Sequence, residues 1–110
     1  MLDARVILTT LGSSDDAEQF ATKLVERRLA ACVNIVGPIR SIYRWQGKVH
    51  HDPEYLLLIK TTAERARELE AAFSELHPYD LPERVELSIE AGSAGYLQWL
   101  VAQASSEANQ

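Results

Sequence analysis

The run from Leu29 to Lys48, Leu-Ala-Ala-Cys-Val-Asn-Ile-Val-Gly-Pro-Ile-Arg-Ser-Ile-Tyr-Arg-Trp-Gln-Gly-Lys, constrains the fold more than any other part of the chain. Its β-branched and aromatic side chains predict extended backbone, and Gln46-Gly47-Lys48 predicts the tip of a hairpin. At roughly 3.3 Å per residue, one strand from Cys32 to Trp45 reaches about 45 Å, far beyond the usual five or six residues. Such a strand outruns the domain it belongs to. Its outer part carries Ile39, Ile42, Tyr43 and Trp45, and a lone hairpin with that much apolar surface is marginal in water and adheres to other chains. A partner subunit is therefore expected. Gly37-Pro38 interrupts the run: proline gives no N–H to the ladder and glycine relaxes backbone sterics, so the pair reads either as a bulge in a continuing strand or as a break.

The remaining chain supplies what such a hairpin needs to pack on. Arg5 to Thr10, with Val6-Ile7-Leu8 at its centre, predicts a first strand, stopped by Gly12-Ser13-Ser14-Asp15. Ser14 or Asp15 is placed to cap a helix in which Ala17, Phe20, Ala21, Leu24, Val25 and Leu29 recur at helical spacing, with Arg27 and Arg28 in its last turn. After the hairpin tip, His50-His51-Asp52-Pro53 interrupts the return and Tyr55 to Thr62 resumes it as a buried strand. Thr61 and Glu64 have capping-box spacing for a second helix whose inner face is Ala66, Leu69, Phe73 and Leu76, ended by Pro78. Arg84 to Glu90 alternates Val85, Leu87 and Ile89 against Glu86, Ser88 and Glu90, the pattern of an antiparallel strand with one wet face. Tyr96, Leu97, Trp99, Leu100 and Val101 predict a short terminal helix, and Ser105 to Gln110 a frayed polar tail. Strand, helix, strand, strand, helix, strand, helix is the order of an α+β, ferredoxin-like βαββαβ sandwich with a protruding hairpin and an extra C-terminal helix. Right-handed crossovers put both long helices on one face of the sheet, which leaves the other face in need of cover.

At 110 residues the chain fits a single domain, residues 1–110, with a core large enough to need no disulfide or structural metal. Sixteen acidic against eleven basic side chains, formal charge -5, disfavour nucleic acid and anionic membranes as partners. The sequence shows neither a signal peptide nor an apolar span long enough to cross a bilayer, and its single cysteine excludes an intrachain disulfide, which together point to the cytoplasm.

Ala31-Cys32-Val33-Asn34, Ser41-Ile42-Tyr43-Arg44-Trp45-Gln46-Gly47-Lys48, Lys60-Thr61-Thr62, His77-Pro78-Tyr79 with Pro82-Glu83, and Tyr96-Leu97-Gln98-Trp99 follow one another as they do in the CutA1 family of divalent-cation tolerance proteins, which the chain resembles over nearly its whole length. The resemblance favours a bulge at Gly37-Pro38, since that family has a long bent strand. It also implies a homotrimer in which three subunits close around their sheets and the hairpins reach across to neighbours. Family members are associated with copper and other divalent cations, and the positions matching their cysteine and histidine motifs are Cys32 and His77.

Each candidate has a plainer reading beside it. Cys32 carries a soft thiolate, yet Leu29, Ala30, Ala31 and Val33 around it suit an inert, buried cysteine. His77, where a helix ends, can equally interact with free carbonyls as an imidazolium. His50, His51 and Asp52 could take a metal at the surface, but adjacent strand residues point to opposite faces, which suits a solvated arm. Tyr43, Trp45, Tyr79, Tyr96 and Trp99 suit either interface packing or the walls of an inter-subunit cleft with Lys60, Glu54 or Glu83 as its polar groups. No nucleophile elbow, phosphate loop, dinucleotide fingerprint or zinc-protease helix occurs, and a Cys32–His77 dyad lacks a third member, so no enzyme activity is expected. The expected function is reversible binding of copper or another divalent cation in metal tolerance, with no cofactor required. The alternatives are a signal or small-molecule binding trimer, similar in architecture to the nitrogen-regulatory PII proteins, and a trimeric interaction platform.

Overall fold

A computed structural model describes residues 3–106 as seven elements: β1 (Ala4–Leu11), α1 (Ser14–Glu26), β2 (Cys32–Trp45), β3 (Lys48–Thr62), α2 (Ala63–Leu76), β4 (Val85–Ser88) and α3 (Ala94–Gln103). The order is the expected βαββαβ with an added helix. The sheet runs β2-β3-β1-β4 with every neighbouring pair antiparallel. Of the polar tail, residues 107–110 lie outside the described residues. No helix among the described residues is long and apolar enough to cross a membrane.

Period-2 alternation on β1 and β3 sends Ile7, Leu11, Leu57 and Ile59 under the two long helices, where they meet Phe20, Leu24, Leu69 and Phe73 in the main core. The other face is formed by cross-strand rows that include Cys32, Lys60, Val6 and Leu87, and Asn34, Leu58, Leu8 and Val85. Among the described residues only α3 packs there, at one end, where Leu100 and Ala104 join Ala4 and Ala31 in a small second core. Val85 and Leu87 stay 46% and 48% exposed, so within one chain the apolar side of β4 has no layer over it. The alternation predicted a wet face and a covered face, and both are open.

Both helix starts fall one residue away from their expected caps. Ser13, with extended backbone, accepts the Asp16 N–H at 3.1 Å, while Ser14 is already the first helical residue. At α2, β3 continues through Thr62, and it is Thr62 that accepts the Arg65 N–H at 3.2 Å. Thr61 instead points into the core and donates to the Leu29 carbonyl at 2.7 Å, so the Thr61–Glu64 box does not form. Arg27 and Arg28 lie just past α1, not in its last turn; Arg27 is its C-cap and Arg28 has φ 60°. Their carbonyls accept from the buried Arg65 guanidinium at 3.2 and 3.0 Å, and the Arg28 guanidinium donates to Ala102 and Ser105 carbonyls at 3.0 and 2.9 Å. Arg65 thereby ties α2 to the C-terminal end of α1, and Arg28 ties that end to the C-terminal end of α3, giving orphan helix carbonyls their donors.

β2 and β3 pair from Cys32 opposite Lys60 to Trp45 opposite Lys48. The segment His50-His51-Asp52-Pro53 does not interrupt this return; it is paired throughout. Proline is tolerated because β1 pairing ends at Tyr55, so Pro53 lies where β3 has a free edge. Between Val36↔Leu56 and Ile39↔Glu54, Gly37 and Pro38 oppose Tyr55 alone, which is a bulge in a continuing strand. At the tip, Gln46 and Gly47 have φ 51° and 78°, the left-handed pair that a two-residue hairpin turn uses. The arm lengthens the molecule to 46 Å against 27 and 21 Å in the other directions.

At the bulge, a β-carbon on Gly37 would fall 2.5 Å from Cδ2 of Tyr55. Gly37→Ala is expected to lower stability by about 1–3 kcal/mol, read as a reduced urea midpoint. An unchanged midpoint would show that the Tyr55 ring does not require a bare backbone there.

Candidate functional site

The residues singled out in the sequence fall on two sides of the sheet. Cys32, the first residue of β2, is half-buried on the face away from α1 and α2, with Sγ 3.8 Å from Oδ1 of Asn34. Across the ladder stands Lys60, whose ammonium lies 5.7 Å from the centroid of the Tyr96 ring. Tyr96 is 5.5 Å from Trp99, one helical turn on, so thiol, ammonium and two indole or phenol rings share this face.

His77 lies on the other side. As the C-cap of α2 its own N–H bonds the Phe73 carbonyl, and its ring is buried between Phe20, Phe73 and Tyr79 at centroid distances of 5.3, 5.6 and 5.0 Å. Nδ1 accepts the Tyr79 N–H at 3.2 Å, so the proton of the neutral ring sits on Nε2. Nε2 donates to the Thr10 carbonyl at 3.1 Å and lies 3.1 Å from Thr9 Oγ1. Burial pushes the imidazole below its ordinary pKa, against the smaller raising influence of the Thr10 carbonyl and Glu54. The expected imidazolium facing free carbonyls is thus a neutral imidazole with both nitrogens engaged. Thr9, to which it reaches, belongs to the same side of β1 as Ile7, whereas Cys32 belongs to the row of Val6. Within one chain, Cys32 and His77 are on opposite faces and do not meet.

The candidate cleft residues form two groups. Tyr79 donates its hydroxyl to Glu54 at 2.8 Å, and Tyr43 donates to Asp52. Burial first, then the hydrogen bond to Glu54, raises the Tyr79 pKa; the bond to Asp52 is the main cause of the raised Tyr43 pKa. Tyr43 also stacks on its cross-strand partner His50 at 5.4 Å. These groups form one polar and aromatic chain from the root of the arm outward. Lys60 and Trp99 belong to the patch beside Cys32, Trp45 stands at the arm's tip, and Glu83 is exposed in the segment before β4. His50 and His51 face opposite sides of the ribbon. Among the described residues no three His, Cys, Asp or Glu side chains gather as a metal site.

Sequence reasoning missed the parts played by Thr9, Gly12 and Asp52. A threonine inside an apolar strand was the available signal for Thr9, buried at 0% exposure. Gly12 stands where a β-carbon would come within 3.2 Å of the Tyr79 hydroxyl. Asp52 follows from period 2, which places it on the same side as Tyr43 and Glu54 once residues 48–54 are read as strand.

Comparison with known proteins adds three findings. The family model described as CutA1 divalent ion tolerance protein matches residues 5–103. The divalent-cation tolerance protein CutA of Thermus thermophilus is 52% identical over 95 residues, covering 86% of this chain and 92% of that protein. Among solved structures, CutA1 of Oryza sativa has a TM-score of 0.92 at 36% identity, covering 96% of this chain and 97% of that one. An Archaeoglobus fulgidus structure, described as a periplasmic divalent cation tolerance protein CutA, has a TM-score of 0.88 at 33% identity, covering 93% and 99%.

A lowered native pKa for His77 has a definite sign. The unfolded chain takes up the proton first, so this contribution to stability is full above pH 6.5 and is lost as pH falls through that value toward the lowered native one. Chemical denaturation across pH 5 to about 8 is expected to show declining stability on the acid side, and His77→Gln a flatter profile. A wild-type profile that does not fall on acidification would mean that the buried ring accepts charge freely.

Proposed function

Because this chain belongs to the CutA1 family of divalent ion tolerance proteins, we propose that it acts in the cytoplasm as a homotrimer that binds divalent cations, copper foremost, and contributes to metal tolerance. The observation that carries this reading is Cys32, a half-buried thiol on the sheet face that α3 covers only at one end. Thiolate is a soft donor that suits copper, and the Asn34 amide oxygen beside it supplies a second, harder one. Since a single chain gathers no three-ligand cluster among its described residues, donors from neighbouring copies complete the site. His77 does not fit as a direct ligand while both of its nitrogens are engaged, and it acts by holding the segment that follows α2. The chain works as one domain over residues 1–110, and as a binder and not a catalyst, because the thiol and the imidazole that would form a dyad are separated by the sheet.

A second reading, a PII-like trimer binding a small molecule between subunits, is favoured by Lys60 over Tyr96 beside Trp99, a cation next to aromatic surface that suits a planar anion. A thermal-shift screen over metals, nucleotides and metabolites separates the two, since a ligand of the folded state raises its melting temperature.

Copper titrated calorimetrically into the wild type and Cys32→Ala is expected to show an affinity loss of about tenfold or more in the variant. His77→Gln should keep the wild-type affinity. Equal affinity in wild type and Cys32→Ala would remove the thiol from the account, and a monomer by sedimentation at micromolar concentration would remove the trimer.

A further inference from the structure

His77 and the root of the arm are joined through very few atoms. Every backbone donor of the turn that leaves α2 is committed: the His77 N–H goes to the Phe73 carbonyl, Pro78 has none, and the Tyr79 N–H goes back to Nδ1 of His77 at 3.2 Å. Phe20 and Phe73 enclose the ring and Nε2 donates to the Thr10 carbonyl, so the ring is fixed to the body and the Tyr79 backbone is fixed to the ring. The Tyr79 hydroxyl in turn donates to Glu54 at 2.8 Å, and Glu54 stands opposite Ile39 in the first pair of the arm beyond the bulge. Few groups that carry or take a charge face this imidazole. The segment after α2 brings the Tyr79 phenol and β3 brings Glu54, the charge that acts on the ring. β1 offers the Thr9 hydroxyl and the Thr10 carbonyl, and α1 and α2 offer their phenylalanines. Asp16 and Lys23 of α1 line a surface groove with Phe20, Leu76 and Pro78.

We infer that His77 is a proton-operated latch on the arm: a proton added at Nδ1 frees the Tyr79 backbone, and with it the hydroxyl that holds Glu54. A neutral imidazole has one acceptor nitrogen, and here it is Nδ1. Protonation turns that nitrogen into a second donor facing the Tyr79 N–H, while the Nε2–H bond to the Thr10 carbonyl becomes charge-assisted and tightens. Two donors then meet with no acceptor between them, so the strain falls on Tyr79 and not on the ring. Pro78 cannot supply another N–H, and a shift of the Tyr79 backbone withdraws its hydroxyl from Glu54. Burial, which disfavours the imidazolium, sets the direction: the latch is closed above the ordinary histidine pKa and opens as pH falls below it. All of these groups belong to one chain. The latch therefore goes beyond the metal-binding trimer, needs neither a metal nor a second copy, and stands or falls apart from them.

The test is an NMR titration of the full chain from about pH 8 down to about pH 5, with the His77 ring and the amides of Tyr79 and Glu54 followed together. All three are expected to shift with one midpoint, below the ordinary histidine value. Tyr79→Phe keeps the amide and the ring and removes only the hydroxyl; in it the His77 ring and residue 79 should still share a midpoint, while Glu54 no longer follows. His50 and His51 on the arm are unchanged in this variant, so any response they cause at Glu54 persists in it. Glu54→Gln keeps an acceptor for the hydroxyl without the charge, and residue 54 should continue to follow His77 there. The latch is refuted if the ring stays neutral until the chain unfolds, or is protonated with no shift at Tyr79 or at Glu54. It is refuted equally if Glu54 keeps the shared midpoint in Tyr79→Phe, or if Glu54→Gln abolishes it. Sedimentation of the same samples at both ends of the titration reads subunit number separately, so dissociation of a trimer is not mistaken for opening of the latch.

Discussion

β1 leaves β3 at Tyr55, while β2 stays with it to the tip of the hairpin. Everything distinctive about the molecule follows from that mismatch. Where three strands lie side by side, helices cover one face and a core forms; where only two remain, a side chain has no layer above it and must find its partners across the ribbon or leave the chain. Tyr43 finds two, a stacked His50 and the Asp52 carboxylate, whereas Ile42 and Val49 on the reverse face stay open to water. The bulge at Gly37 and Pro38 marks the change of regime, with the Tyr55 ring laid over the bare glycine.

The arm is anchored through the segment that follows α2. His77 reads the β1 backbone with one nitrogen and the Tyr79 backbone with the other, and two phenylalanines from α1 and α2 enclose its ring. Tyr79, thus placed, reaches Glu54 where the arm begins. A buried polar group retained in this way has all its hydrogen-bonding capacity used, the condition under which burial is not a liability. The same sheet separates this pin from the thiol of Cys32 and the ammonium of Lys60, so two residues that share the family's motifs serve different ends: one organises the layer, the other is presented outward.

The open face has a consequence for assembly. Val85 and Leu87 have apolar side chains with no cover, next to rows containing Val6, Leu8 and Leu58 that α3 reaches only at one end. An exposed apolar surface continuous with an unpaired ribbon is what the proposed trimer would bury.

By itself, the sequence determined the order of elements, most of the inner faces of α1 and α2 and a hairpin tip at Gln46-Gly47-Lys48, because helical and strand periods and turn residues act over a few neighbours; whether Gly37-Pro38 bulges or breaks β2 it left open, and the register decided for a bulge. It read residues 50–53 as an interruption, since histidine, aspartate and proline are poor strand formers when their surroundings are unknown, and only the free edge of β3 explains why they pair. Which of two adjacent serines or threonines caps a helix, which face Cys32 occupies and why His77 is neutral were decided by the tertiary structure alone. Each of those depends on where a register begins and on what lies across it, and burial is a property of many residues brought together from distant parts of the chain.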